Sequence, residues 1–142
     1  VPLNTVNGSI FSAPRVIQIN DSRPGCPGTA ADGSILMSST FTVNNTASYW
    51  AHARVIYNPG ARGGPRADMF GLLDGVGIGK NSLNSSYNTA GAVGDWEELN
   101  WSIMGTVAAG THTLTANGSN GTNCWGCGFD WGQLIIFIWE GA

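Results

Sequence analysis

Apolar residues recur along much of this chain at every second position, the spacing of a β-strand with one face buried. Residues 34–43 set Ile35, Met37, Phe41 and Val43 on one face against Ser38, Thr40 and Thr42 on the other. Residues 48–58 set Tyr49, Ala51, Ala53, Val55 and Tyr57 against Trp50, His52, Arg54 and Ile56. Residues 95–104 alternate with Leu99, Trp101 and Ile103 inward, and residues 111–117 place His112, Leu114 and Ala116 opposite Thr111, Thr113 and Thr115. Two further strands are predicted, over 15–21 with Val16, Ile17 and Ile19, and over 66–74 with Met69, Phe70, Leu72 and Leu73. The second ends in Asp74-Gly75, a hairpin-turn dipeptide.

The last stretch, residues 131–140, breaks the alternation. From 134 to 139 every side chain is large and apolar, so Leu134, Ile136 and Ile138 face one way and Ile135, Phe137 and Trp139 the other. The run is too short for an ordinary helix and rich in β-branched and aromatic residues, so it reads as a strand that wants both faces covered. One cover is the domain core. The other is a second layer or a second subunit.

Between these strands lie Gly, Pro and Asn punctuation. Residues 1–13 read as a polar N-terminal arm with Ile10 and Phe11 as its anchor. Residues 22–33, 59–65 and 117–130 read as loops, and residues 76–94 as a glycine-rich surface excursion holding at most a short strand. Within that excursion, Gly77-Ile78-Gly79-Lys80 lacks the spacing of a phosphate-binding loop and reads as loop. No stretch keeps a helical period over three turns. The expectation is an all-β, single-domain antiparallel β-sandwich of jelly-roll type with seven to nine strands, an arm over 1–13 and the domain over 14–142.

Composition narrows the setting. Charged residues make up 11% of the 142, well below the ~25% of an average soluble domain, and the net charge is −3. The polar surface must come from Ser, Thr, Asn and the 21 glycines, which suits extracellular or virion exteriors. Lys80 is the only lysine and there is no basic stripe, so nucleic acid is not expected as a partner. No run approaches the roughly 18 apolar residues of a membrane-spanning helix, so no membrane partner is expected. Val1 is compatible with loss of an initiator methionine or with cleavage of a precursor.

Three features together carry a family resemblance. They are the strand pair over 48–58 and 66–75 running into Leu72-Leu73-Asp74-Gly75, Trp101-Ser102-Ile103 followed by Ala109-Gly110-Thr111-His112-Thr113-Leu114-Thr115, and a glycine-rich loop leading to an apolar strand that ends in Glu140. Over roughly residues 15–140 the chain resembles the trimeric jelly-roll modules, similar to tumour-necrosis-factor and complement C1q heads, of bacteriophage head decoration proteins and fibre tips. The resemblance implies a homotrimer whose last strand packs near the threefold axis. Leu134, Ile136, Phe137, Ile138 and Trp139 are then the trimer-interface candidates.

Candidate chemistry is sparse. Cys124-Trp125-Gly126-Cys127 is a C-x-x-C, with Cys26 the third cysteine. A zinc site would need all three and His52 or His112, and a redox pair would need a thioredoxin-like α/β pattern that is missing. Loop or buried thiols, with a disulfide between Cys26 and Cys124 or Cys127, are the expectation, with no metal and no cofactor. Asp95, Glu97, Glu98 and Asp130 offer carboxylates, but nothing in the sequence pairs them at glycosidase spacing. No serine sits in a nucleophile elbow, and no catalytic residues are expected. The aromatics Trp50, Tyr87, Trp96 and Trp125 serve either as interface anchors or as a sugar platform.

Two functions follow as expectations. The first is a non-enzymatic structural virion protein, a homotrimeric capsid decoration (cement) protein on the exterior of a bacteriophage head, bound to the major capsid protein or another virion protein. A domain with only a short arm suits decoration better than a long fibre. The second is a fibre-tip or lectin-like module that binds host surface glycan.

Overall fold

A computed structural model describes residues 3–6, 9–21, 34–58, 67–83, 97–120 and 128–141. Among these residues the chain runs through β1 (Leu3–Val6), β2 (Ser9–Ser12), β3 (Arg15–Asp21), β4 (Ser34–Val43), β5 (Ala47–Asn58), β6 (Ala67–Leu73), β7 (Val76–Leu83), β8 (Glu97–Val107), β9 (Gly110–Asn120) and β10 (Gly128–Glu140). The predicted arm contains an antiparallel hairpin, β1 with β2, that joins neither of the larger sheets.

The other eight strands form two four-stranded antiparallel sheets, β3-β10-β5-β8 and β4-β9-β6-β7. The order has a simple origin. Folding the chain back on itself at the Asp74-Gly75 turn pairs β6 with β7, β5 with β8, β4 with β9 and β3 with β10. Wrapping this long double strand around a core adds the contacts of β10 with β5 and of β6 with β9, which complete the two sheets. That is a jelly roll, an antiparallel β-sandwich.

The alternating pattern decides the inner faces. Tyr49, Ala51, Ala53 and Val55 of β5, Leu99 and Trp101 of β8, and Leu134, Ile136 and Ile138 of β10 are buried from the first sheet. They meet Met37, Phe41 and Val43 of β4, Met69 of β6, and Leu114 and Ala116 of β9 from the second. Each fully buried Leu or Ile stabilises the fold by about 1.5–3 kcal/mol relative to exposure. Trp101 lies over the backbone of Gly71, where an added Cβ would sit 2.9 Å from the indole Cζ2. A glycine there lets the two sheets close around the largest side chain in the core.

Three expectations are corrected. Ile35 is not on the inner face of β4. A bulge between Ile35 and Met37 shifts the register against β9, leaving Ile35 62% exposed while Leu36 is buried. Residues 76–83, read as part of a surface excursion, form the eight-residue strand β7, and Gly77-Ile78-Gly79-Lys80 lies inside it. Their glycines hid the alternation, yet the strand pairs with β6 along its length. Third, Leu134, Ile136 and Ile138 are covered by the opposite sheet of the same chain, so only the odd-numbered residues of that strand are left for a partner.

At one end of the sandwich the connections are short: Asn44–Thr46 between β4 and β5, Asp74-Gly75 between β6 and β7, and Ala108-Ala109 between β8 and β9. Glu140 closes this end. Its Oε1 accepts the backbone N–H of Asn44 and, at 2.9 Å, that of Asn45. Asn45 Nδ2 donates to the Gly141 carbonyl, and the Gly141 N–H donates to Thr46. Of the predicted loop over 117–130, residues 117–120 belong to β9 and residues 128–130 to β10, and the predicted loops 22–33 and 59–65 lie outside the described residues.

Candidate functional site: the outward face of the first sheet

The outward face of the second sheet carries a threonine ladder, Thr40 with Thr113 at 3.0 Å and Thr42 with Thr111 at 2.9 Å. The outward face of the first sheet carries a different row. Strand register sets Val16 of β3 beside Phe137 of β10, Phe137 beside Trp50 of β5, and Trp50 beside Met104 of β8. One apolar row therefore crosses all four strands, about 14 Å at the usual strand spacing. Val16 is 52% exposed and Met104 79%. Trp139 and the half-buried Ile135 extend the patch on β10.

The rings of this patch pack on one another. His52 stacks on Trp50 with planes 5° apart and centroids at 5.7 Å. Phe137 leans on Trp50 at 5.3 Å, and Trp139 stacks on Phe137 at 6.1 Å. Along the same face toward the other end, the surface turns polar. Arg54 lies 5.3 Å over the Trp131 ring and 2.9 Å from Glu98. Gln133 donates to Asn20 at 3.0 Å, and Asn100 to Glu98 at 3.4 Å. The face is thus divided into an aromatic half and a half whose two charges are already paired.

The sequence-predicted residues distribute as follows. Phe137 and Trp139 lie on this outward face, as does Trp50. Ile10 and Phe11 fall in β2 of the hairpin arm. Tyr87, Trp96, Trp125, Cys26, Cys124 and Cys127 lie outside the described residues. Val16, Met104 and Ile135 were missed as members of the patch. Their outward parity was legible in the sequence, but the register that sets Val16, Phe137, Trp50 and Met104 in one row was not.

The reactive side chains on these sheets are engaged. His52 Nδ1 lies 2.8 Å from Ser102 Oγ on the outward face. A nucleophilic pair also needs a group that orients the imidazole and donors for an oxyanion, and neither accompanies it among the described residues. Glu98 is held by Arg54. His112 sits in the other sheet, bonded to Asp74 and to the Ala108 carbonyl. No group of three or more metal-ligating side chains occurs among the described residues.

No protein-family model matches the chain, and no curated protein matches it in sequence. Solved structures are similar in backbone course. One is the VP2 subviral particle of infectious bursal disease virus, at 14% identity and TM-score 0.49 over 92% of this chain. Another is dimeric latent PorU from Porphyromonas gingivalis, at 12% identity and TM-score 0.45, covering 92% of this chain and 13% of that one. A third is the C-terminal domain of EclA, a sugar-binding protein, at 12% identity and TM-score 0.41, covering 89% of this chain and 79% of that domain. The chain spans about a third of the length of the VP2 chain, 34%. Jelly rolls serve capsids and lectins alike, so function has to be argued from the surface.

Proposed function

We propose that this chain is a non-enzymatic structural virion protein that self-associates as a homotrimer through the outward face of its first sheet and decorates the exterior of a bacteriophage capsid. The observation that carries the proposal is the row Val16, Phe137, Trp50 and Met104, an apolar row that crosses all four strands of one sheet face, exposed at both ends. Aromatic residues and methionine are the side chains enriched in subunit interfaces, and exposed patches of this kind mark interaction sites. The threefold symmetry and the phage setting rest on the resemblance carried by the Leu-Leu-Asp-Gly turn, the Ala-Gly-Thr-His-Thr stretch and the terminal strand. The hairpin arm, with Ile10 and Phe11, is the element that docks on the major capsid protein or another virion protein. Binding only the assembled shell, such a trimer stabilises the shell by mass action.

Host glycan binding is the second reading, and it is favoured by the polar half of the same face, where Arg54 lies over Trp131 and pairs with Glu98, and Asn100 and Gln133 add hydrogen-bonding groups. It ranks second because a sugar ring needs an open aromatic face. His52 stacks on Trp50, and Arg54 covers Trp131. The test is to label the native particle with an antibody to this chain and count copies by electron microscopy. Many copies over the head support decoration. Copies confined to a tail tip, with saturable sugar binding lost in Trp131→Ala, would overturn it in favour of the glycan reading.

A further inference from the structure

The Ala109-Gly110-Thr111-His112-Thr113 stretch, which carries part of the family resemblance, takes no part in the surface described above. Its histidine is placed with unusual definition. His112 Nδ1 lies 2.7 Å from Asp74 Oδ2, and its Nε2 lies 2.8 Å from the Ala108 carbonyl. Asp74 is itself fixed. It has a left-handed backbone (φ 52°), and its N–H donates to the Thr113 carbonyl at 2.8 Å. Its other carboxylate oxygen accepts the Thr113 N–H at 2.8 Å. The Asp74 backbone bond thus continues the β6–β9 ladder one step past Leu73, and its side chain reaches the imidazole.

Both partners of the ring are acceptors. A carboxylate and a peptide carbonyl have no proton to give, so each ring nitrogen must donate. A neutral imidazole donates from one nitrogen only, whereas the imidazolium donates from both. We infer that His112 is held as an imidazolium and acts as a proton-dependent latch, tying the β6–β7 turn to the β8–β9 turn at the closed end of the sandwich. Among the described residues, Asp74 is the charged group facing the ring. β4 presents Phe41, its ring 5.9 Å away, and the β8–β9 turn presents the Ala108 carbonyl.

The electrostatics agree with the geometry. The hydrogen bond to Asp74, followed by that to Ala108, holds the His112 imidazole above its ordinary value of 6.5. The bonds from His112 and from the Thr113 backbone hold Asp74 below its ordinary 3.8. A group whose folded value is raised contributes its full stability below the unfolded value and loses it as pH rises through the folded value. The latch therefore contributes in full below about pH 6.5 and opens as pH rises through the raised folded value.

The inference does not depend on the proposed function, and its test reads the proton directly. The intact protein is labelled with 15N-histidine and the ring nitrogens are followed by NMR from pH 5 to 10. The two histidines are assigned with His52→Gln. The expected result is a His112 ring protonated on both nitrogens in the acid limb and titrating above 6.5, with the midpoint brought back to about 6.5 or below in Asp74→Asn. Thermal unfolding of the wild type should fall in midpoint as pH rises above about 6.5, and His112→Gln should lack that fall. A His112 ring that titrates at or below about 6.5 would overturn the inference whether or not either variant folds.

Discussion

The ring of Phe137 on β10 leans on that of Trp50 on β5, centroids 5.3 Å apart and planes at 51°, on the outward face of the first sheet. Its sequence neighbour Ile136 points the other way and is fully buried. Two adjacent apolar residues therefore face different surroundings, the core of the chain for one and, in the proposed trimer, a second copy for the other.

This separation predicts different failures. Ile136→Asp puts an unpaired carboxylate into the core, which costs several kcal/mol out of a total stability of about 5–15 kcal/mol. The chain should be insoluble or unfolded. Phe137→Asp should keep the strand content of the wild type by circular dichroism and lose only association, read by light scattering at micromolar concentration. A Phe137→Asp variant that is folded and still associated would place the seam elsewhere.

Met104 offers a cleaner probe because it is 79% exposed and touches little within the chain. Met104→Lys should change the stability of the chain by no more than about 0.5 kcal/mol, the usual range for surface substitutions. It should weaken self-association about tenfold or more, as expected when an interface anchor costs above roughly 1.4 kcal/mol. Sedimentation velocity over a dilution series measures the second effect, and urea unfolding of dilute protein the first.

Inside the sandwich, Gly71 tests the contact between the sheets. Gly71→Ala brings a methyl group 2.9 Å from Trp101 Cζ2, and the indole is walled in by the core. Overpacking of this kind costs about 1–3 kcal/mol. A loss of that size in chemical denaturation is expected, together with a shift in tryptophan fluorescence.

The closed end makes its own prediction. Glu140→Gln replaces a carboxylate that accepts two successive backbone N–H groups, those of Asn44 and Asn45, with a weaker neutral acceptor. The expected cost is about 1 kcal/mol, the scale that separates charged from neutral hydrogen bonds. Hydrogen exchange should locate it, with the Asn44 and Asn45 amides exchanging faster while the centre of β10 stays protected.

Much of the fold was legible in the sequence because most strands bury one face, and that burial writes a period of two. The predicted strands over 15–21 and 34–43 match β3 and β4, and Tyr49, Ala51, Ala53 and Val55 of β5, Leu99 and Trp101 of β8, and Leu114 and Ala116 of β9 are buried as expected. The exceptions have local causes. Ile35 fails because a bulge inserts one residue, and β7 was missed because Gly77 and Gly79 have no side chains to alternate. The surface was harder to read. A single sequence shows which residues of a strand point outward but not which strand lies beside it, so Phe137 and Trp139 were named while Val16 and Met104 were not. The Ala-Gly-Thr-His-Thr stretch was recognised as a pattern. Its physical content, one imidazole bridging two turns, needed the positions of Asp74 and Ala108.

A sheet face that is a seam between copies of the chain shows itself in the mass of the protein in solution. Sedimentation equilibrium at micromolar concentration should return three times the 14.8 kDa chain mass for the wild type and one times that mass for Phe137→Asp. A wild-type protein that sediments as a monomer at that concentration would contradict the account.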